Sequence, residues 1–90
     1  MTETRESMIK RMHMRSMRRG IKEMDLILSA FAQKHLADMS DDELALYDAL
    51  LAENDHDIYG WVGGQLAIPE VYSDLIGQIT DGAHGITRPV

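Results

Sequence analysis

The sequence predicts a small all-α bundle of five helices in a single domain, and three observations carry that prediction. Apolar residues recur at three- and four-residue spacing through most of the chain, the spacing that lines one face of a helix. Caps, glycines and a proline punctuate this pattern at short intervals, so the connections are tight. A chain of 90 residues buries roughly 60% of its unfolded surface and builds one compact core. No repeat, low-complexity tract or internal boundary divides it. Residues 1–80 are therefore expected to form the domain and 81–90 a flexible C-terminal tail, where two glycines and a proline replace the apolar period.

The first helix is expected over about residues 5–18, which lack Pro and Gly and carry Met8, Met12 and Met14 as an apolar side. Gly20 interrupts the pattern, ending that helix or letting the next begin at an angle. From Ile21, the residues Met24, Ile27, Leu28, Phe31 and Ala32 make the stripe of a core helix that ends near His35. Ser40-Asp41-Asp42-Glu43 is a capping box, with Met39 and Leu44 placed for a hydrophobic staple. Leu44, Tyr47, Leu50 and Leu51 supply the buried side of that third helix. Asn54 or Asp55 can cap a short fourth helix with Ile58, Trp61 and Val62, terminated by Gly63-Gly64. Pro69 suits the start of a fifth, with Val71, Tyr72, Leu75, Ile76 and Ile79 as its apolar face.

Charge is distributed unevenly. Seven of the nine Lys and Arg residues lie at or before Lys22, and thirteen of the fifteen Asp and Glu residues lie at or after Glu23. The sign changes inside Arg15-Ser16-Met17-Arg18-Arg19-Gly20-Ile21-Lys22-Glu23. The absence of cysteine removes disulfides and thiolate metal sites, and no apolar run approaches the roughly 20 residues of a membrane span. The basic, Met-rich start has the composition of a mitochondrial transit peptide, but Glu3 and Glu6 are unusual in one. A soluble protein of a bacterial cytoplasm is the expectation, with the mitochondrial matrix ranked second.

Little in the chain resembles an active site. His13, His35, His56 and His84 form no H-x-x-x-H pair. The serines lack a nucleophile elbow, and no glycine loop follows a strand to cradle phosphate. Two clusters remain. Arg19 and Glu23 are four apart, so on a continuous helix they would form a surface ion pair worth a few tenths of a kcal/mol. Gly20 would cost about 1 kcal/mol inside a helix, which favours close packing against its backbone. Arg15, Arg18, Arg19 and Lys22 could instead meet nucleic-acid phosphates, but the net charge of −6 opposes that reading. Trp61, the single tryptophan, is simplest as core filler.

Arg19-Gly20-Ile21-Lys22-Glu23 matches the R-G-x-x-E signature, and the chain resembles the succinate dehydrogenase flavinylation factor family, also called SdhE or succinate dehydrogenase assembly factor two. Arg15-Ser16 before it, Met24-Asp25-Leu26-Ile27-Leu28 after it, the Leu36-to-Glu43 cap region and Asp55-x-Asp57-Ile58-x-x-Trp61 follow in the family's order. Met17 in place of an aromatic residue and the glycines from Gly60 to Gly64 depart from it. The resemblance implies a five-helix, chaperone-like assembly factor and not an enzyme. Such a factor binds the flavoprotein subunit of succinate dehydrogenase, or of fumarate reductase, and promotes covalent attachment of FAD to a histidine there. It implies no stably bound cofactor, no metal, no nucleic acid, no membrane insertion and a monomer. Arg19, Gly20 and Glu23 would lie on the contact surface, with Arg15, Arg18 and Asp57 beside them. An antitoxin-like interaction module or a nucleic-acid binder using the basic helix is the alternative.

Overall fold

The computed structural model describes residues 3–83. Five α-helices order the chain: α1 (Arg5–Ser16), α2 (Lys22–His35), α3 (Asp41–Leu51), α4 (Asp55–Val62) and α5 (Ser73–Ala83). Short 3-10 turns follow α2 (Leu36–Asp38) and precede α5 (Glu70–Tyr72). The bundle is arranged around α2, which packs against α1, α4 and α5, while α1 also packs on α3 and α4 on α5.

Local signals account for the helix starts. The Thr4 hydroxyl accepts from Ser7 N at the head of α1, and Asn54 Oδ1 accepts from His56 N at the head of α4. At α3 the capping box is complete, with Ser40 N donating to Glu43 Oε1 at 2.9 Å and Glu43 N to Ser40 Oγ at 3.2 Å. Met39 and Leu44, at the staple positions, are both buried. The stripe of α2 is buried throughout, as are Leu44, Tyr47, Leu50 and Leu51 of α3. Trp61 is core, its ring centroid 5.8 Å from that of Tyr72.

Four expectations change. α1 ends at Ser16, and its buried positions are Met12 and Ser16. Met14 is 68% exposed, because two residues along a helix turn the side chain away from Met12. Val71 is 64% exposed: it lies in the 3-10 turn between Pro69 and α5, whose three-residue period takes it off the stripe of Tyr72, Leu75, Ile76 and Ile79. The helix also runs through Asp81–Ala83, where a tail was expected; residues 84–90 of that tail lie outside the described residues. The glycine-rich stretch has a packing cause. A Cβ at Gly60 would sit 2.5 Å from Leu66 Cδ1, and Gly64 takes φ 80°, a left-handed turn that lets Leu66 fold back over α4.

Where α1, α2 and α3 meet, Ser16 is buried with its Oγ 2.7 Å from Met12 O and 2.6 Å from Tyr47 Oη. The Ser16 proton is spent on the Met12 carbonyl, so the Tyr47 hydroxyl donates to Ser16. Burial pushes the Tyr47 phenol up from its ordinary value of 10.0 to about 12. A phenol raised in this way contributes stability that is complete below pH 10.0 and is lost as pH climbs through about 12. Tyr47→Phe is expected to cost about 1 kcal/mol at neutral pH, lowering the urea midpoint with the slope unchanged. It should also flatten the decline in stability across that alkaline window. A variant with the wild-type midpoint and the wild-type alkaline decline would remove this hydrogen bond from the account.

Candidate functional site

Residues 17–21 connect α1 to α2 and are fastened from two sides. Met17 N–H donates to Met14 O, closing α1. Arg18 takes φ 56°, the left-handed region in which a non-glycine residue is strained by about 1–2 kcal/mol. Its N–H donates to Asp25 Oδ2 at 2.9 Å, and the same Asp25 carboxylate accepts from Ser29 Oγ through its other oxygen. Two residues on, Gly20 N–H donates to Asp55 Oδ2 at 2.7 Å. Asp55 Oδ1 in turn accepts from Arg19, with Nε at 2.8 Å and Nη2 at 2.6 Å. One carboxylate thus holds both residues of the Arg-Gly pair.

Arg19 spends its whole fork inside the protein. Nη1 donates to Arg15 O at 2.8 Å and Nη2 to Leu51 O at 3.1 Å. The side chains of Arg19 and Asp55 are only 11% and 18% exposed, the least of any ion pair among the described residues. Both carbonyls belong to the last turns of helices, where main-chain oxygens lack intrahelical donors. A cation there also meets the negative end of each helix dipole, and Asp55 meets the positive end of α4.

The Arg19–Glu23 ion pair that a continuous helix would have allowed does not form, because Arg19 precedes α2 and the two residues share no continuous helix. Gly20 lies outside any helix and is exposed, so no helix penalty falls on it. The group that approaches its backbone is Asp55 of the same chain: a Cβ at Gly20 would lie 3.2 Å from Asp55 Oδ2, tighter than an ordinary contact. Arg15 is brought to the cluster, its carbonyl under Arg19 and its Nη1 2.6 Å from Asp48 Oδ1. The Arg18 side chain is exposed, and Glu23 is half-buried on the first turn of α2 with no side-chain hydrogen bond to the described residues. Asp57 is exposed and two residues beyond Asp55, on a different side of α4; it is not part of this cluster.

Asp55 is the residue that sequence reasoning missed. Asn54 and Asp55 both looked like caps for α4, and a helix needs one; Asn54 serves, which frees Asp55. The basic segment is likewise neutralised from within. Arg5 pairs with Asp41, Arg11 with Glu3 and Asp48, Arg15 with Asp48 and Arg19 with Asp55. Arg11, with Arg15 beside it, holds the Asp48 carboxyl below its usual range. Four guanidinium groups are thereby committed, which leaves Lys10, Arg18 and Lys22 as the exposed cations of the segment without an ion pair among the described residues.

The strain at Arg18 is testable. Arg18→Gly relieves the left-handed backbone but adds about 0.5–1 kcal/mol of unfolded-state freedom. The melting temperature is expected to stay level or rise by a few degrees. A fall equivalent to more than about 1 kcal/mol would show that the Arg18 side chain itself supports the fold.

The family model described as the flavinator of succinate dehydrogenase matches residues 10–82, a span that contains the Arg19–Glu23 motif and Asp55. Succinate dehydrogenase assembly factor 2, mitochondrial, of Meyerozyma guilliermondii is 54% identical over 59 residues, 66% of this chain and 44% of the relative. The factor of the same name from Candida glabrata is 62% identical over 47 residues, 52% of this chain and 31% of its own. Assembly factor 2-B, mitochondrial, of Drosophila mojavensis is 38% identical over 92 residues, covering 96% of this chain and 59% of the relative. The chain thus spans between about a third and three-fifths of the length of these relatives. Their mitochondrial names overturn the cytoplasmic placement and point to the mitochondrion instead. The lack of cysteine argued only against an oxidising compartment, which does not separate the two. With the match running through nearly all of the described bundle, the chain belongs to the succinate dehydrogenase flavinator family.

Proposed function

We propose that this protein is an assembly factor for succinate dehydrogenase, not an enzyme in its own right. It binds the flavoprotein subunit and promotes covalent attachment of FAD to a histidine of that subunit. The observation that carries the reading is the family match across residues 10–82, which includes a solvent-facing Arg18–Gly20 loop held in one shape by internal bonds. The loop and the first turn of α2 form the docking face, with Gly20, Arg18 and Glu23 toward the partner. Arg19 and Arg15 shape that face from beneath, and Asp57, on another side of α4, lies outside it. No cofactor is held stably by the bundle; FAD and the accepting histidine belong to the partner. Fixing a flavoprotein segment so that flavin and histidine meet would lower the barrier by orientation alone. The fumarate reductase flavoprotein, where one is present, is a partner of the same kind. An antitoxin-like or nucleic-acid-binding role has less support, since Arg15 and Arg19, two of the four cations that would meet phosphates, are already paired within the chain.

In-gel flavin fluorescence of the denatured flavoprotein, made with and without this protein, tests the proposal directly. Covalent flavin is expected to fall severalfold in its absence, and equal fluorescence in both samples would end the assembly-factor reading. Glu23→Ala, which removes a half-buried side chain with no hydrogen bond to the described residues, is expected to leave the stability within about 0.5 kcal/mol of wild type while weakening capture of the flavoprotein. Undiminished capture and flavinylation by Glu23→Ala would remove the motif's glutamate from the docking face.

A further inference from the structure

We infer that Asp55 is a positioning residue for the docking loop, and that the arginine of the R-G-x-x-E motif works through it instead of touching the partner. The inference rests on the docking reading above. It follows from three features of the loop. Every nitrogen of the Arg19 fork already has an acceptor within the chain, Nε on Asp55, Nη1 on Arg15 O and Nη2 on Leu51 O, and the side chain is only 11% exposed. The exposed residues of the loop are Met17, Arg18 and Gly20, and the direction of the Gly20 peptide is set by its hydrogen bond to Asp55 Oδ2. Finally, Gly20 has no left-handed φ to justify glycine; what a side chain would meet is the Asp55 oxygen, 3.2 Å from a Cβ.

Asp55 therefore does two things with one carboxylate. Oδ1 anchors Arg19 and with it the ends of α1 and α3. Oδ2 turns the Gly20 amide inward, leaving the opposite side of that peptide as a flat backbone surface. Asp25 does the matching work at Arg18 N. A loop freed from Asp55 would sample other shapes, and its apparent affinity would drop by the fraction of time spent in the competent one.

The test compares wild type, Asp55→Ala, Asp55→Asn, Gly20→Ala and the Gly20→Ala/Asp55→Ala pair. Each is measured at a temperature where circular dichroism shows it fully folded. Two quantities are read: affinity for the purified flavoprotein subunit, and hydrogen exchange of the Gly20 amide in the free protein. Asp55→Ala is expected to weaken binding by about tenfold or more and to speed Gly20 exchange by a similar factor. Asp55→Asn, which keeps an acceptor oxygen, should fall between it and wild type on both readouts, and serves if Asp55→Ala does not fold. Gly20→Ala should weaken binding in the wild-type background and add little once Asp55 is gone. Wild-type affinity in Asp55→Ala would overturn the inference. So would weakened binding with unchanged Gly20 exchange, since Asp55 would then act on the partner itself. If wild type failed to bind the flavoprotein, the docking reading would fall, and unchanged exchange in Asp55→Ala would independently overturn the positioning role.

Discussion

The Arg19–Asp55 pair is the constraint on which the upper end of the bundle depends. It joins the last turn of α1 through Arg15 O, the last residue of α3 through Leu51 O and the first residue of α4 through Asp55 itself. Three helix ends thus converge on one guanidinium and one carboxylate. The dipoles cooperate, with negative C-termini facing the cation and the positive N-terminus of α4 facing the anion. A pair this withdrawn from water is stabilising only when its other hydrogen-bonding capacity is filled, and each nitrogen of the fork has an acceptor. Removing one partner would leave an uncompensated, largely buried charge, so the pair fixes geometry more firmly than its surface counterparts at Arg5 or Arg11.

The uneven charge of the sequence is explained by the same principle on a larger scale. Arg5, Arg11, Arg15 and Arg19 meet Asp41, Asp48, Asp48 and Asp55, at sequence separations of 36, 37, 33 and 36 residues. A nearly constant separation means that the basic segment runs beside the acidic one in the same direction. α1 and α3 are therefore parallel neighbours, with α2 returning between them in the chain. The reversal of sign near Glu23 is the record of a basic first helix folded onto an acidic third, and it is consumed by the fold.

Five helices were legible because their signals are local. The stripe of α2, the capping box of α3 and the Asn54 cap of α4 each lie within a turn or two of the residues they organise. The cluster was legible in part. Arg15, Arg19 and Gly20 could be picked out by motif, but Asp55, which holds Arg19 and Gly20, is 36 and 35 residues away from them, and helical spacing offered Glu23 instead. Val71 was misplaced for a related reason: Pro69 opens a 3-10 turn, and nothing local distinguishes that from the first turn of an α-helix. Asp55 was hidden by a plausible local role that its neighbour Asn54 performs.

Arg18 and Gly20 divide the usual work of a glycine between them. The left-handed residue is Arg18, although glycine two places on would bear that conformation at no steric cost. The loop accepts strain at Arg18 because Asp25 takes its N–H, and glycine at position 20 spares a Cβ that would crowd Asp55 Oδ2 at 3.2 Å. Backbone preference alone would have arranged these residues the other way round. The shape of the loop is thus imposed by two carboxylates delivered from α2 and α4, so it is as rigid as the packing of those helices. In R-G-x-x-E the arginine is an internal strut, the glycine a clearance and the glutamate the one member whose side chain has no partner of its own among the described residues.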